Sequence, residues 1–239
     1  MPFRNMTLQQ AAARLHLDAH AVERLVKRNE IPFFWRGEEP LFPRRELDAW
    51  ASQRLLGMRS DATHEHHIAS TRRFDPTGRP TPLIPRLFRA EWIEPRLLSK
   101  TKPAVVRDLV SLAARMERLY DEAALLRGVL ERESQCSTAL DHGVAFLHAR
   151  YHDPHICGDS FALLARTANP IFAGAADGQT TDLFFLLCCH DDTDHLHALA
   201  RLCALTHATP LLADLRLAET SEDMLAALIR NEEKLLLTM

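Results

Sequence analysis

The stretch "LERESQCSTALDHGVAFLHAR", residues 130–150, decides the fold of the larger part of this chain. It leaves a helix at "LERE", passes two hydroxyl residues and a loop to Gly143, and then follows an apolar segment that delivers His148. Such a histidine has two readings. It is either a core residue bonded to a backbone carbonyl or a reactive group held at the end of a strand. Imidazole is the side chain whose charge changes near pH 7, so only the second reading carries chemistry.

The flanking segments build a domain around it. "TKPAVVRDLVSLAARMERL" sets Val106, Leu109, Val110 and Ala113 at helical spacing, with Pro103 in the first turn. "DEAALLRGVLERE" reads as a second helix opened by Asp121. "DSFALLAR" and "DLFFLLCC" are short apolar runs bounded by polar residues, as buried strands are. "DHLHALARLCAL" carries Leu196, Leu199, Ala200 and Cys203 on one face, with Asp194 as its cap and His195 as its first residue. "TSEDMLAALIRN" opens with a capping-box pattern, Thr220 and Asp223, and forms the closing helix. Helix and strand signals alternate over 88–239, which predicts an α/β domain.

Composition sets the outer limits. The chain has 239 residues, 46% hydrophobic and 26% charged, enough for one large domain or two small ones. A net charge of −3 gives no global electrostatic case for nucleic acid or membrane, although a local basic patch is compatible with it. No apolar run approaches the roughly 18–20 residues of a membrane span, and the N-terminus lacks a signal-peptide core. The five cysteines show no CxxC spacing and read as reduced, buried small side chains, so a cytoplasmic location is expected. Residues 57–87 are rich in proline and lack a sustained apolar period, which marks a linker between domains at 1–56 and 88–239.

The N-terminal fifty residues read clearly. Leu8, Ala11, Ala12 and Leu15 make one helical face, and Asp18 caps a second helix whose Val22, Leu25 and Val26 pack back. Asn29 follows where a left-handed residue ends a helix, "IPFFWRGEEPLF" forms a two-stranded wing around Gly37, and "PRRELDAWA" starts a third helix with proline in its first turn. This order resembles the excisionase/MerR-like winged helix-turn-helix family. The resemblance implies that the second helix enters the major groove and the wing reaches phosphate or minor groove. His20, Arg24, Lys27 and Arg28 would then face DNA, with Arg36 on the wing and Arg44 and Arg45 at the next helix start. Arg24 suits bidentate reading of guanine, and Lys27 and Arg28 suit phosphate. Alternatively these are solvated faces of a small helical domain. DNA readers of this shape commonly act as dimers, so a homodimer is a possible state.

Residues 88–239 resemble the enzyme IIA domain of the fructose/mannitol/nitrogen class of the sugar phosphotransferase system. The family pattern, roughly L-x-R-E…S-T-G-x-G-x-G-I-A-I-P-H-x-R, stands here as "LERESQCSTALDHGVAFLHAR", and "TTDLFFLL" and "DHLHALARL" extend it. The resemblance implies a mixed sheet flanked by helices and a histidine, His148, that accepts a phosphoryl group from an HPr-like or NPr-like phosphocarrier. Arg132 matches the family's phosphoryl-stabilising arginine and His195 its second active-site histidine. Thr138, Ser137 and Gly143 would serve as donors from the loop, and Arg150 would add charge. Two features depart from the pattern: "ALDH" replaces most of the glycine loop, and Leu147 replaces the proline. The site requires Arg132, His148 and His195 to meet around a pocket open to a phosphoryl group. No cofactor is called for.

His142, His148, His152, His155, His190 and His195 raise a metal site as an alternative, together with "HEHH" at 64–67. The chain has no HExxH motif, and the reading adopted is that no metal is held. The whole is expected to be a fusion that couples phosphorylation of His148 to DNA binding. The alternatives are a phosphocarrier without DNA binding and a sensor domain whose transfer site is dead.

Overall fold

The computed structural model describes residues 5–57, 81–153 and 155–238. Most of the expected linker, residues 58–80, lies outside the described residues.

The N-terminal unit runs β1 (Asn5–Met6), α1 (Leu8–Leu15), α2 (Ala19–Lys27), β2 (Phe34–Arg36), β3 (Glu39–Pro43) and α3 (Arg44–Leu56). Thr7 opens α1 in a capping box with Gln10, and the Asp18 carboxylate accepts the Ala21 N–H at 2.6 Å to open α2. Asn29 takes a left-handed φ of 55° just beyond α2, as expected. Gly37, at φ 65°, makes the tight turn of the wing, where a side chain would be strained. Pro43 proves to be the residue before α3 rather than part of its first turn. Ala11, Leu15, Val22, Leu25, Phe42 and Leu47 close the small core.

The C-terminal unit adds α4 (Ile84–Leu87), β4 (Ile93–Leu97), α5 (Lys102–Ala114), α6 (Glu122–Gln135), β5 (Ala139–Leu140), β6 (Val144–His148), β7 (Phe161–Ile171) and β8 (Thr181–Cys188). Three helices follow, α7 (Asp192–Ala208), α8 (Leu211–Leu217) and α9 (Ser221–Leu237). The sheet order is β4-β7-β8-β6-β5, with β4/β7 and β6/β8 parallel and the other pairs antiparallel. This is the mixed sheet that the resemblance implies.

Alternation along β6 divides the core. Ala145 and Leu147 join Val106, Leu109 and Val129 on the α5/α6 side, whereas Val144 and Phe146 join Leu199, Cys203 and Leu228 on the other. His148 shares the parity of Val144 and Phe146, so it falls on the α7 side. Leu47, Ala51 and Leu55 of α3 belong to that same cluster, so one continuous apolar core spans both units. Burying each such leucine is worth about 1.5–3 kcal/mol.

Two expectations are corrected here. Residues 83–87 were assigned to the linker, but Ile84 and Leu87 are buried and the Leu83 and Ile84 N–H groups donate to Glu232 of α9 at 2.8 and 2.9 Å. They pack as part of the C-terminal unit, because one buried carboxylate holds the free N–H groups at the start of α4. The cap of α7 is Asp191, not Asp194; its carboxylate accepts the N–H groups of Thr193 and Asp194. His195 therefore lies within the first turn, its own N–H bonded to Asp191 O at 3.0 Å, and offers no free backbone donor.

Candidate active site

Strand β6 carries His148 to its end, and α7 carries His195 against it, ring centroids 4.6 Å apart. His152, just beyond the strand, stacks on His195 at 4.1 Å. The Nδ1 of His148 lies 2.8 Å from the Phe146 carbonyl. A carbonyl only accepts, so Nδ1 carries the proton and the lone pair sits on Nε2. That Nε2 is buried and without a partner. Arg132, in the last turn of α6, donates Nη1 to Cys136 O at 2.7 Å and leaves Nη2 buried and unpartnered. His195 Nδ1 and His152 Nε2 are in the same condition. Folded proteins leave few buried polar atoms unpaired, and here four belong to neighbouring side chains.

The electrostatics keep the His148 and His195 imidazoles neutral. Burial, then the Arg132 charge, push the His148 pKa down to about 3, and the Phe146 carbonyl only partly opposes them. Burial holds His195 well below its ordinary value, with His152, His148 and Arg132 adding to the effect. A neutral imidazole with a free lone pair is a nucleophile, and Arg132 beside it is suited to an incoming anion.

The sequence predicts an open pocket, and the structure corrects this. His148 and His195 are each only 1% exposed. Their cover includes α3 of the N-terminal unit, whose Ser52 Oγ sits 3.1 Å from His195 Nε2. Ser52 donates its hydroxyl hydrogen to Asp48 O at 3.1 Å, so it accepts from His195 Nε2–H. From the histidines a polar chain leads outward. His152 Nδ1 meets Asp192 at 2.9 Å, and Asp192 lies beside Asp48 of α3. Arg14 of α1 grips Asp48 through Nε and Nη2 at 2.7 and 3.0 Å and donates Nη1 to Thr193 of α7 at 2.6 Å. Burial pushes the Asp48 pKa up to about 6 against the pull of Arg14.

Arg132, His148 and His195 do come together, and other expected residues do not join them. Gly143 lies at the opposite end of β6, against Arg216 and Asp182, because a five-residue strand separates its ends by roughly 16 Å. Thr138 is buried, but its hydroxyl donates to Glu133. Ser137 donates to Ala173 O at 2.7 Å and accepts from Lys102 at 2.9 Å, so neither hydroxyl hydrogen is free for an anion. Arg150 lies over the Tyr151 ring and 4.0 Å from Glu131. His152, Asp192 and Ser52 were not among the expected phosphoryl-site residues, and only their folded positions reveal them. Among the described residues, no group of three or more His, Cys, Asp or Glu side chains is arranged to hold a metal ion.

On the N-terminal unit, Arg24, Lys27 and Arg28 stand exposed along α2, His20 lies 3.3 Å from Glu23, and Arg36 is exposed on the wing beside Trp35. Arg44 and Arg45 differ: Arg44 lies 3.7 Å from Asp48, and Arg45 lies 5.6 Å over Tyr151 of the C-terminal unit.

The family model of the phosphoenolpyruvate-dependent sugar phosphotransferase system, EIIA 2, matches residues 86–231. The chain belongs to this family. A helix-turn-helix domain matches residues 6–55, so the protein is a fusion of the two. The EIIA unit is 32% identical over 147 residues to the nitrogen regulatory protein of Bradyrhizobium diazoefficiens, covering 61% of this chain and 94% of that protein. It is 29% identical over 153 residues to the fructose-specific EIIABC component of Bacillus subtilis, covering 63% of this chain and 24% of that longer protein. Its fold matches the crystal structure of nitrogen regulatory protein IIA-Ntr from Neisseria meningitidis (TM-score 0.56, 23% identity, 62% of this chain and 99% of that one). It also matches IIA mannitol from Escherichia coli (TM-score 0.52, 14% identity, 59% and 98%). Among the described residues, no helix is long and apolar enough to cross a membrane.

Proposed function

We propose that this protein is a phosphotransferase-system regulator in which His148 accepts a phosphoryl group and its phosphorylation state governs DNA binding by the N-terminal unit. The observation that carries the reading is the unpaired lone pair on His148 Nε2, fixed by the Nδ1–H bond to Phe146 and lying within the field of the Arg132 guanidinium. The donor is a phosphohistidine carrier protein of the HPr or NPr kind. The His148 Nε2 lone pair forms the new N–P bond as the donor's N–P bond breaks and its electron pair returns to the donor imidazole. Arg132 balances charge on the moving group, and His195 steadies it once its Nε2–H is released. A phosphoryl group brings nearly two negative charges, enough to reorganise the polar chain that leads to α3. Arg24, Lys27, Arg28 and Arg36 form the DNA-facing set, and domains at 1–56 and from residue 83 onward with a cytoplasmic site of action fit this role. A homodimer on DNA fits it too.

The test joins two assays on the full chain. Phosphoenolpyruvate, enzyme I and a carrier should label the wild type and leave His148→Ala unlabelled, and a gel-shift series at moderate salt should then separate the two forms by affinity. An unlabelled wild type overturns the transfer reading. Equal DNA affinity of both forms overturns the coupling.

A further inference from the structure

The N-terminal unit is attached to the acceptor site through its own side chains. Three contacts join α1 and α3 to the histidine end of the EIIA unit: Arg14 to Thr193 at 2.6 Å, Ser52 to His195 at 3.1 Å, and Arg45 over Tyr151 at 5.6 Å. Behind them Leu47, Ala51 and Leu55 continue the apolar core. A carrier protein delivers phosphorus only by bringing its own imidazole to within bonding distance of His148 Nε2, and that atom is enclosed.

We infer that α3 is a displaceable plug over the histidine pair, and that a phosphocarrier and the N-terminal unit compete for the same face of the EIIA unit. Three observations support it. The interface is polar where it meets the histidines, and those contacts exchange for water at little net cost, so the resistance to displacement lies in the apolar seam of Leu47, Ala51 and Leu55 behind them. Ser52 accepts the His195 Nε2–H, so the seated plug takes the donor that a phosphoryl group on His148 would use. Asp48 and Asp192, the two carboxylates of the junction, lie one on each unit, and a phosphoryl dianion nearby would add like charge to both. Loading His148 therefore holds the plug off, and a seated plug slows loading. Release also frees Arg45 from Tyr151, adding a cation to the side of the N-terminal unit that faces the junction.

This inference rests on the reading of His148 as acceptor, but accessibility tests it separately. Diethyl pyrocarbonate modifies exposed imidazoles, and peptide mass spectrometry of the full chain reads each histidine. His148 and His195 should react at least tenfold more slowly than the exposed His20 and His155 in the wild type. The Ser52→Ala/Thr193→Val double variant removes two inter-unit hydrogen bonds, to His195 and from Arg14, while keeping the Arg14–Asp48 pair and the Asp48–Asp192 contact. It should raise the reactivity of His148 and His195 severalfold without changing that of His20. Arg14→Ala should do the same more strongly, circular dichroism showing that each variant is folded. Equal reactivity of all four histidines in the wild type, or no change in the folded double variant, overturns the plug. If the double variant exposes the pair yet neither protein takes up phosphoryl from the carrier, the plug stands and the acceptor reading falls. If both take it up at equal rates, the competition falls.

Discussion

Helix α7 carries two buried polar clusters, and they are built differently. At Arg201 the guanidinium meets Glu232, whose two carboxylate oxygens also accept the Leu83 and Ile84 N–H groups. That carboxylate is fully used, and what it joins is structure: the start of α4, the middle of α7 and the last helix. At His195 the His148 neighbour is as deeply buried, yet four nitrogen atoms of the cluster have no partner within the protein. A buried polar group that only supports the fold is paired, because leaving it unpaired costs about 1–3 kcal/mol. A cluster that keeps unpaired capacity against that cost is where an incoming group belongs.

Substitutions break or sharpen this contrast. Glu232→Ala removes the carboxylate that a buried guanidinium and two backbone donors share, and should lower unfolding stability by about 3–5 kcal/mol in urea titration. A loss under about 1 kcal/mol would erase the distinction between the clusters. Arg132→Met should leave stability nearly unchanged, since one of its two terminal nitrogens is idle, while slowing phosphoryl uptake about 100-fold or more in rapid-quench assays.

The pH response sharpens the histidine side of the comparison. His148 is neutral and its pKa falls from 6.5 to about 3 on folding, so the unfolded chain binds the extra proton. Its contribution is complete above pH 6.5 and is lost as pH falls toward 3. By about pH 5 that amounts to about 2 kcal/mol from this one group. Asp48 runs the other way: its pKa rises from 3.8 to about 6 on folding, so its contribution is full below 3.8 and is lost as pH rises to about 6. His148→Gln should flatten the acid loss of stability by its share, and a wild-type slope identical to the variant's would place the imidazole in solvent. At neutral pH the same variant should cost only about 1 kcal/mol, because Nε2 has no bond to lose. Smallest of all, Lys27→Ala should reduce the salt dependence of DNA binding by roughly one ion.

Much of this was legible beforehand, and the reason is local. Asp18, Asp121 and Thr220 cap helices through bonds to residues three positions on, which sequence displays directly. The apolar runs "FALLA" and "LFFLLC" announce strands β7 and β8, although β7 continues through the polar "RTAN" to Ile171. The meeting of Arg132, His148 and His195 came from the resemblance and not from spacing. What escaped was the role of α3. Ser52 and Asp48 read as ordinary polar positions on a helix that has too little apolar contrast between its faces to advertise a second buried side. Their burial depends on a partner surface more than a hundred residues away. Gly143 failed for a simpler reason: adjacency in a motif does not survive a strand that carries its two ends apart.

The most direct test locates the phosphoryl group itself. The full chain, loaded by phosphoenolpyruvate, enzyme I and a carrier, is digested at alkaline pH and sequenced by tandem mass spectrometry. A single phosphoryl group on His148 is the predicted result. No phosphoryl group, or one on an exposed imidazole such as His20 or His155 with His148 bare, would contradict the account.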